Sequence, residues 1–390
     1  MFGNDIIGNQ RSLAVLQRAL RTGRMAHASL FTGPEGCVME PVALELAAIL
    51  NCQLGSAALT RGSCGSCPDC LAVKAFMHQN VEYLFPIEST LLDTADGARR
   101  DNRKAQEARE RYDALIEEKK QNRYLMPAME RSMGILTEQI LALQHKALFM
   151  PSAGNYKLFI ISQADRMLPA AANKLLKLLE EPPAHVRFIL LSARPDTLLP
   201  TIRSRCQQFK FSRPEPHELD QWLQANHPAM DEAERRFTIA FSRGNLRLFH
   251  DMVSSRNGSG GGAQDITQLR DQAISYLRDL LTPAGFVKAL LTAEQNARSM
   301  NRQELTLFLS ALLLFMQDGC RRRIMPGFEP LNNPDIADSI DRFAGNFGTS
   351  DFLHISMLTE ETIRTIARNG NPLLAMASYT AWLRGLLKKG

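Results

Sequence analysis

An α/β domain built on a parallel sheet, followed by helical segments, is the fold class that this 390-residue sequence predicts. Two continuous apolar runs, at residues 157–162 and 186–192, have the composition of strands buried on both faces of a parallel sheet. The Leu-rich segment 167–181 separates them with the length of a helix, and Pro182 and Pro183 would end that helix. Strands that alternate with helices in this way favour a sheet covered by helices on both sides.

The beginning of the chain predicts another unit of the same kind. Residues 10–20 place Leu13, Leu16 and Leu20 on one face of a helix. The apolar run HASLF at 27–31 is typical of a short strand, and it leads into Gly33-Pro34-Glu35-Gly36 and then a helix over about 41–50. A strand, a glycine-containing turn and a helix form the context in which proteins bind phosphate groups.

Helical periodicity dominates after residue 211. We expect the α/β domain to cover residues 1–212, a small helical domain to cover 213–255 and a larger helical domain to cover 264–390. Segments 305–315 and 350–366 are the clearest helices of the last domain. The composition SSRNGSGGGA at 254–263 is typical of a flexible linker.

A charge-rich segment at about 88–133 differs from its surroundings and predicts a helical insertion. Pairs of opposite charge lie four residues apart, while Ala105, Ala108, Tyr112 and Leu115 share one seam. We interpret it as an exposed helix or short helical hairpin, either a solvated charged surface or an arm that binds a partner.

Composition excludes some function classes. Apolar residues make up 45% of the chain, so a core can form, and the net charge of +5 permits contact with nucleic acid without arguing for it. A basic leader followed by an apolar run is missing, as is an uninterrupted apolar stretch of about 18 residues. We therefore expect a cytoplasmic protein without a membrane span.

The turn after the first strand has the frame of a phosphate loop but lacks its chemistry. A working loop has the pattern G-x-x-x-x-G-K-S/T, in which backbone N–H groups and the Lys bind phosphate and the Ser/Thr binds Mg²⁺. The eight positions here are Gly33, Pro34, Glu35, Gly36, Cys37, Val38, Met39 and Glu40. Val38 replaces the second Gly, Met39 the Lys and Glu40 the Ser/Thr, and Glu40 adds negative charge. We expect no ATP hydrolysis, whereas weak nucleotide binding stays open.

The end of the strand at 157–162 agrees with this expectation. An active ATPase carries there an Asp for Mg²⁺ and a Glu that orients water. This chain carries Ser162 and Gln163, with Asp165 two residues later.

Four cysteines predict a metal site. Cys52, Cys64, Cys67 and Cys70 have the spacing C-x11-C-x2-C-x2-C, and four thiolates suit a closed, structural Zn²⁺ site. Gly65 provides a turn between two of them. We expect ordinary packing for Cys37, Cys206 and Cys320, and a surface or packing position for His78, which is near the cluster in sequence.

Taken in their order along the chain, these segments resemble those of a known protein family. HASLFTGPEG, the cysteine cluster, KLFIISQADRMLPAAANKLLKLLEEPP and FILLSARPDTLLPTIRSRCQQF together resemble the delta-prime subunits of bacterial DNA polymerase III clamp loaders. The resemblance covers roughly residues 1–212. Over 213–390 only length and helical character fit, and the insertion departs from the commoner family pattern.

The resemblance implies an AAA+ (P-loop NTPase-like) α/β domain, a small helical lid and an all-α collar that joins a ring-shaped pentamer. It implies the delta and gamma/tau subunits as partners, with the sliding clamp and primed DNA reached through the assembly. Arg205, in the motif Ser204-Arg205-Cys206, would act as an arginine finger that reaches a neighbour's ATP site, or would only pair with a carboxylate at an interface. Arg203 is a weaker second candidate, and Arg247 lies where AAA+ lids carry a sensor arginine.

Two other function classes remain. An active AAA+ ATPase subunit of a related replication or repair complex would bind nucleotide by itself. A zinc-dependent nucleic-acid module would bind DNA alone with a steep salt dependence. The substitutions at Met39, Glu40 and Ser162 argue against the first, and the lack of a dense basic stripe with aromatics argues against the second.

Overall fold

The computed structural model describes residues 2–3, 6–92, 102–151, 156–256, 266–282, 284–347 and 349–387. It divides into two compact units: Met1–Glu218 with Gly244–Leu248, and Leu219–Arg243 with Phe249–Gly390.

A five-stranded parallel sheet forms the centre of the first unit. Its strands are β1 (Ala28–Thr32), β2 (Val81–Leu84), β3 (Lys157–Ile161), β4 (Val186–Ser192) and β5 (Gln207–Lys210), in the spatial order β2-β3-β4-β1-β5. Every residue of β1 and β3 is buried, because helices cover both faces of the sheet. The parallel sheet expected from the apolar runs is therefore confirmed.

Eight helices accompany the strands in the described part of this unit up to residue 212. They are α1 (Gln10–Arg21), α2 (Met39–Asn51), α3 (Ala58–Arg61), α4 (Pro68–Lys74), α5 (Asn102–Gln121), α6 (Thr137–Ala147), α7 (Pro169–Glu180) and α8 (Pro200–Arg205). The expected apolar face of α1 is buried at Leu13, Leu16 and Leu20. α2 begins at Met39, two residues before the expected start, so Met39 and Glu40 are helical and buried.

The charge-rich insertion is only partly the exposed helix that its composition suggested. Its helical part is α5, residues 122–133 are not helical, and residues 93–101 lie outside the described part of the chain. The predicted seam packs inward, with Ala108 fully buried and Tyr112 and Leu115 against Phe85. Lys119 is also fully buried, so at least this charged residue of α5 does not lie on a solvated surface.

Nine helices follow the sheet in the described residues beyond 212. They are α9 (Pro216–Asn226), α10 (Glu232–Ser242), α11 (Leu246–Arg256), α12 (Ile266–Leu281), α13 (Phe286–Ser299), α14 (Arg302–Ile324), α15 (Ala337–Asn346), α16 (Phe352–Ala367) and α17 (Pro372–Leu386). In the second unit, buried Tyr276 of α12 bonds to Thr380 of α17 at 2.8 Å and packs on Phe308 of α14. The helical C-terminal part is confirmed. Of the expected linker, Ser254 and Ser255 lie in α11, and 257–263 lie outside the described residues.

Within the described ranges, none of the helices is both long and apolar enough to cross a membrane.

Candidate functional site

The degenerate phosphate loop connects β1 to α2, as the sequence predicted. The Gly33 N–H donates to Ser192 O on β4 at 3.3 Å, and the Cys37 N–H closes a turn on Pro34 O at 3.2 Å. Val38 occupies the position before α2 and is fully buried. The loop therefore keeps the strand–turn–helix path of a phosphate site, although its side chains have changed.

Side chains of this unit pack directly against the loop glycines. A Cβ on Gly33 would lie 3.0 Å from the Cys37 sulfur, and one on Gly36 would lie 2.0 Å from Asn245 Oδ1. The Leu246 N–H also donates to Gly36 O at 2.7 Å. Burial raises the pKa of the Cys37 thiol to about 11, against the opposing effect of hydrogen bonds from the backbone N–H groups of Met39 and Cys37.

Glu40 is the centre of a buried polar network. Its side chain is 1% exposed and accepts hydrogen bonds from Tyr83 Oη at 2.6 Å, Ser162 Oγ at 2.5 Å and Lys119 Nζ at 2.9 Å. The Tyr83 pKa lies well above its usual value because burial and the Glu40 carboxylate both disfavour a phenolate. Tyr83 therefore stays a hydrogen-bond donor to the carboxylate.

Lys119 enters this network from α5, and sequence reasoning did not single it out. Its ammonium also donates to Arg123 O at 2.8 Å and Leu125 O at 2.6 Å. An ammonium has three N–H donors, so the contacts to Glu40 and these two carbonyls account for all of them. Burial lowers the pKa of Lys119 below its usual value, although the Glu40 carboxylate opposes this effect.

Ser162 and Gln163 follow β3, where an active ATPase carries Asp and Glu. Ser162 follows the strand and bonds to Glu40, whereas Gln163 donates to Met126 O and Pro127 O at 3.1 and 2.8 Å. Asp165 accepts from Ser192 Oγ at 3.0 Å and Arg194 Nε at 3.2 Å. Ser162 and Gln163 are thus both engaged within the chain.

Arg205 is the last residue of α8 and lies beside the edge strand β5. Its Nη2 is 2.7 Å from Glu180 Oε1, and its Nη1 donates to Thr201 O at 3.0 Å. The two side chains are 35% and 48% exposed, so solvent screens the ion pair. It contributes at most about 1 kcal/mol to the free energy of unfolding. Arg203 pairs with Asp196 at 3.3 Å, also near the surface.

The sensor candidate Arg247 belongs to the first unit. Its Nη2 is 2.9 Å from Glu118 Oε1, and its carbonyl accepts from Asn122 Nδ2 at 3.0 Å. Glu118 is the residue next to Lys119 on α5, so the insertion contacts both Glu40 and Arg247.

The four predicted metal-binding cysteines come together. The sulfurs of Cys52, Cys64, Cys67 and Cys70 all lie within 4.8 Å of one another, and those of Cys64 and Cys70 are 3.9 Å apart. A tetrahedral site with Zn–S bonds of about 2.3 Å needs sulfurs roughly 3.8 Å apart, so the cluster fits a structural ion.

Backbone amides support thiolates in this cluster. The Cys64 N–H points to Cys52 Sγ at 3.4 Å, the Cys67 N–H to Cys64 Sγ at 3.2 Å, and the Cys70 N–H to Cys67 Sγ at 3.5 Å. Hydrogen bonds from the Ser66 and Cys67 amides lower the Cys64 pKa to about 6. Burial raises the Cys70 pKa, which an ion would counteract.

Cys206 and His78 are buried and lie outside the cysteine cluster. Cys206 is buried, and burial raises the pKa of its thiol to about 12. His78 is buried too, lies 3.2 Å from Asp69 Oδ1 and accepts the Asn80 N–H at 3.1 Å. His78 is therefore not among the ligands that the cluster would need.

A five-stranded parallel α/β unit with a modified phosphate loop, followed by helices, has the fold class of an AAA+ (P-loop NTPase-like) protein. The chain belongs to the family described as DNA polymerase III, delta subunit, whose model matches residues 8–215.

Several curated relatives are similar over longer stretches. DNA polymerase III subunit tau of Escherichia coli K12 is 25% identical over 321 residues, which cover 79% of this chain and 42% of the relative. Subunit tau of Bacillus subtilis is 27% identical, covering 71% and 38%. The chain therefore spans about two fifths of the length of these relatives. A solved gamma subunit-related protein from Thermotoga maritima aligns over 97% of this chain and 100% of its own, with a TM-score of 0.42 and 16% identity.

Proposed function

We propose that this chain is a non-hydrolysing, delta-prime-type subunit of a bacterial DNA polymerase III clamp loader in the cytoplasm. With the delta and gamma/tau subunits it would help to load the sliding clamp onto primed DNA. The observation that carries this proposal is the buried Glu40 carboxylate, bonded to Lys119, at the loop position where an ATPase holds Mg²⁺ through Ser or Thr.

The loop lacks each group that ATP hydrolysis requires. Met39 offers no cation to the phosphates, and Glu40 would repel them. Gln163 replaces the water-orienting Glu and donates to two carbonyls. Every one of these features weakens binding or catalysis, so ATP is not expected to be hydrolysed here.

Arg205 would act in trans as an arginine finger. A guanidinium is always charged and can bind two phosphate oxygens at once. Its bond to Glu180 lies near the surface, so exchanging that carboxylate for a neighbour's phosphate costs little. In this way a subunit without its own active site would still take part in the chemistry of the assembly.

The four cysteines would hold one structural Zn²⁺. All four ligand positions are filled by protein sulfurs, which leaves no open position for catalysis. The ion would fix the segment between α2 and α4 on the first unit.

Nucleotide binding by the isolated chain tests the proposal against its alternative, an active ATPase subunit. The alternative deserves a direct test because the curated relatives named above are tau subunits. Calorimetric titration of Mg-ATP into the purified chain should give no binding heat, and the chain should copurify with the other loader subunits. Binding followed by hydrolysis would support the alternative instead.

A further inference from the structure

The contacts of Lys119 explain what the charge-rich insertion does to the phosphate loop. In a working phosphate loop, a hydroxyl of the loop and a carboxylate after the neighbouring strand bind Mg²⁺ together. This chain has the carboxylate on the loop, at Glu40, and the hydroxyl after β3, at Ser162. The two groups bond to each other at 2.5 Å. The hydroxyl and the carboxylate are therefore both present, but each lies where a working phosphate loop has the other.

A cation also lies at this pair, and it comes from the protein. Lys119 Nζ is 2.9 Å from Glu40 Oε2, with the two side chains 0% and 1% exposed. The remaining N–H donors of the ammonium end on the carbonyls of Arg123 and Leu125. We propose that Lys119 takes the place of Mg²⁺ in the degenerate site, so that α5 closes the phosphate loop without nucleotide.

Contacts of Tyr83 and Arg247 also fix the C-terminal end of α5 in this position. Tyr83 Oη donates to the Glu40 oxygen that Lys119 binds, and its ring lies 5.7 Å from Lys119 Nζ. Glu118 binds Arg247, and Asn122 binds the Arg247 carbonyl. The insertion therefore holds the loop and the sensor position together, a task that bound nucleotide performs in an active ATPase.

This inference rests on the proposed function only in treating the loop as one that holds no nucleotide. A double-mutant cycle tests it: wild type, Lys119→Met, Glu40→Gln and the double variant, unfolded in urea as the full chain. Each single variant leaves one buried charge without its partner, so Lys119→Met should raise the unfolding equilibrium constant at least about 100-fold. The unfolding equilibrium constant of the double variant should be at least about tenfold smaller than that of Lys119→Met.

Lys120→Met is the matched control. Lys120 is the next residue on α5, and its pair with Glu117 lies near the surface at 3.0 Å, so this variant should unfold like the wild type. Additive effects of the two single variants would overturn the inference. A double variant that does not fold would overturn it as well, because removing both charges should leave a stable core.

The wild-type unfolding midpoint should also be the same with and without millimolar MgCl₂. A Mg²⁺-dependent increase would contradict the replacement of the metal by Lys119. The proposed function is tested separately by the ATPase of the assembled complex with Arg205→Ala. If the stability effects of Lys119→Met and Glu40→Gln are additive but Arg205→Ala lowers the ATPase, only the role of Lys119 is contradicted. If the two effects are coupled but Arg205→Ala leaves the ATPase unchanged, only the role of Arg205 as an arginine finger is contradicted.

Discussion

Lys119 and Glu40 form an ion pair in which the two side chains are no more than 1% exposed, 79 residues apart in sequence. The pair joins the insertion to the degenerate phosphate loop. It accounts for a carboxylate in a buried position where a charge without a partner would be strongly unfavourable.

Tyr83→Phe removes one donor from the Glu40 carboxylate. Because hydrogen bonds to charged groups are the stronger ones, the free energy of unfolding should fall by about 1.5–3 kcal/mol. Tyr112→Phe is the control, since the Tyr112 ring stacks on Phe85 with centroids 5.5 Å apart and keeps that packing without its hydroxyl. Its effect should stay within about 0.5 kcal/mol. Urea unfolding monitored by circular dichroism measures both values, and equal losses would argue against a special role for the Tyr83 hydroxyl.

Gly36→Ala should loosen the contact between the loop and the segment Gly244–Leu248. Gly36 has φ +77°, and a new Cβ would displace Asn245, which caps the N–H groups of Arg247 and Leu248. Gly55→Ala shares the left-handed backbone, at φ +57°, but meets no atom within 4 Å among the described residues. Gly36→Ala should therefore cost at least about 1 kcal/mol more, the usual worth of a helix cap. Denaturant titration of both variants gives this difference, and similar losses would contradict the account.

Metal analysis should find one zinc ion per chain in protein purified without chelator. Cys67→Ser should reduce the zinc content strongly, because a tetrahedral structural site needs all four sulfurs. Cys320→Ser is the control and should keep the ion, since Cys320 lies on α14, outside the cluster. Elemental analysis that finds no zinc in the wild type, or the same zinc content in both variants, would remove the assignment.

Thiol labelling should separate the cysteines into groups. Cys37 and Cys206 are buried, and burial raises their pKa values to about 11 and about 12, so few of these thiols are thiolate near neutral pH. Both should resist maleimide in the folded protein and react after unfolding. Cys64 should react quickly once a chelator has been added. Peptide mass spectrometry measures each site, and rapid labelling of Cys37 in the folded protein would mean that the loop opens.

The sheet was largely predictable, and the buried network was not. Lys157–Ile161 and Val186–Ser192 were recognisable because strands covered on both faces must be apolar along their whole length. The four cysteines were recognisable because short spacings already bring thiols together. Cys52 lies 12 residues before Cys64, and the segment between α2 and α4, which contains α3, has to fold back to bring it to the others.

The partners of Glu40 could not be inferred from local pattern, because Tyr83, Lys119 and Ser162 come from three distant elements. One signal existed: Lys119 continues the seam of Tyr112 and Leu115 by four residues. A lysine on an apolar seam points to a buried carboxylate elsewhere, and Glu40 was the acidic residue whose position most needed an explanation.

The most direct measurement of the central claim is the DNA-stimulated ATPase of the reconstituted loader with Arg205→Ala in this subunit. The site that receives the guanidinium should lose about 10³-fold or more in rate, so the ATPase of the complex should fall while assembly is kept. Glu180→Ala is the matched control, because it breaks the same ion pair from the other side. It should leave the ATPase unchanged. An Arg205→Ala complex with full activity, or an equal loss with Glu180→Ala, would contradict the account.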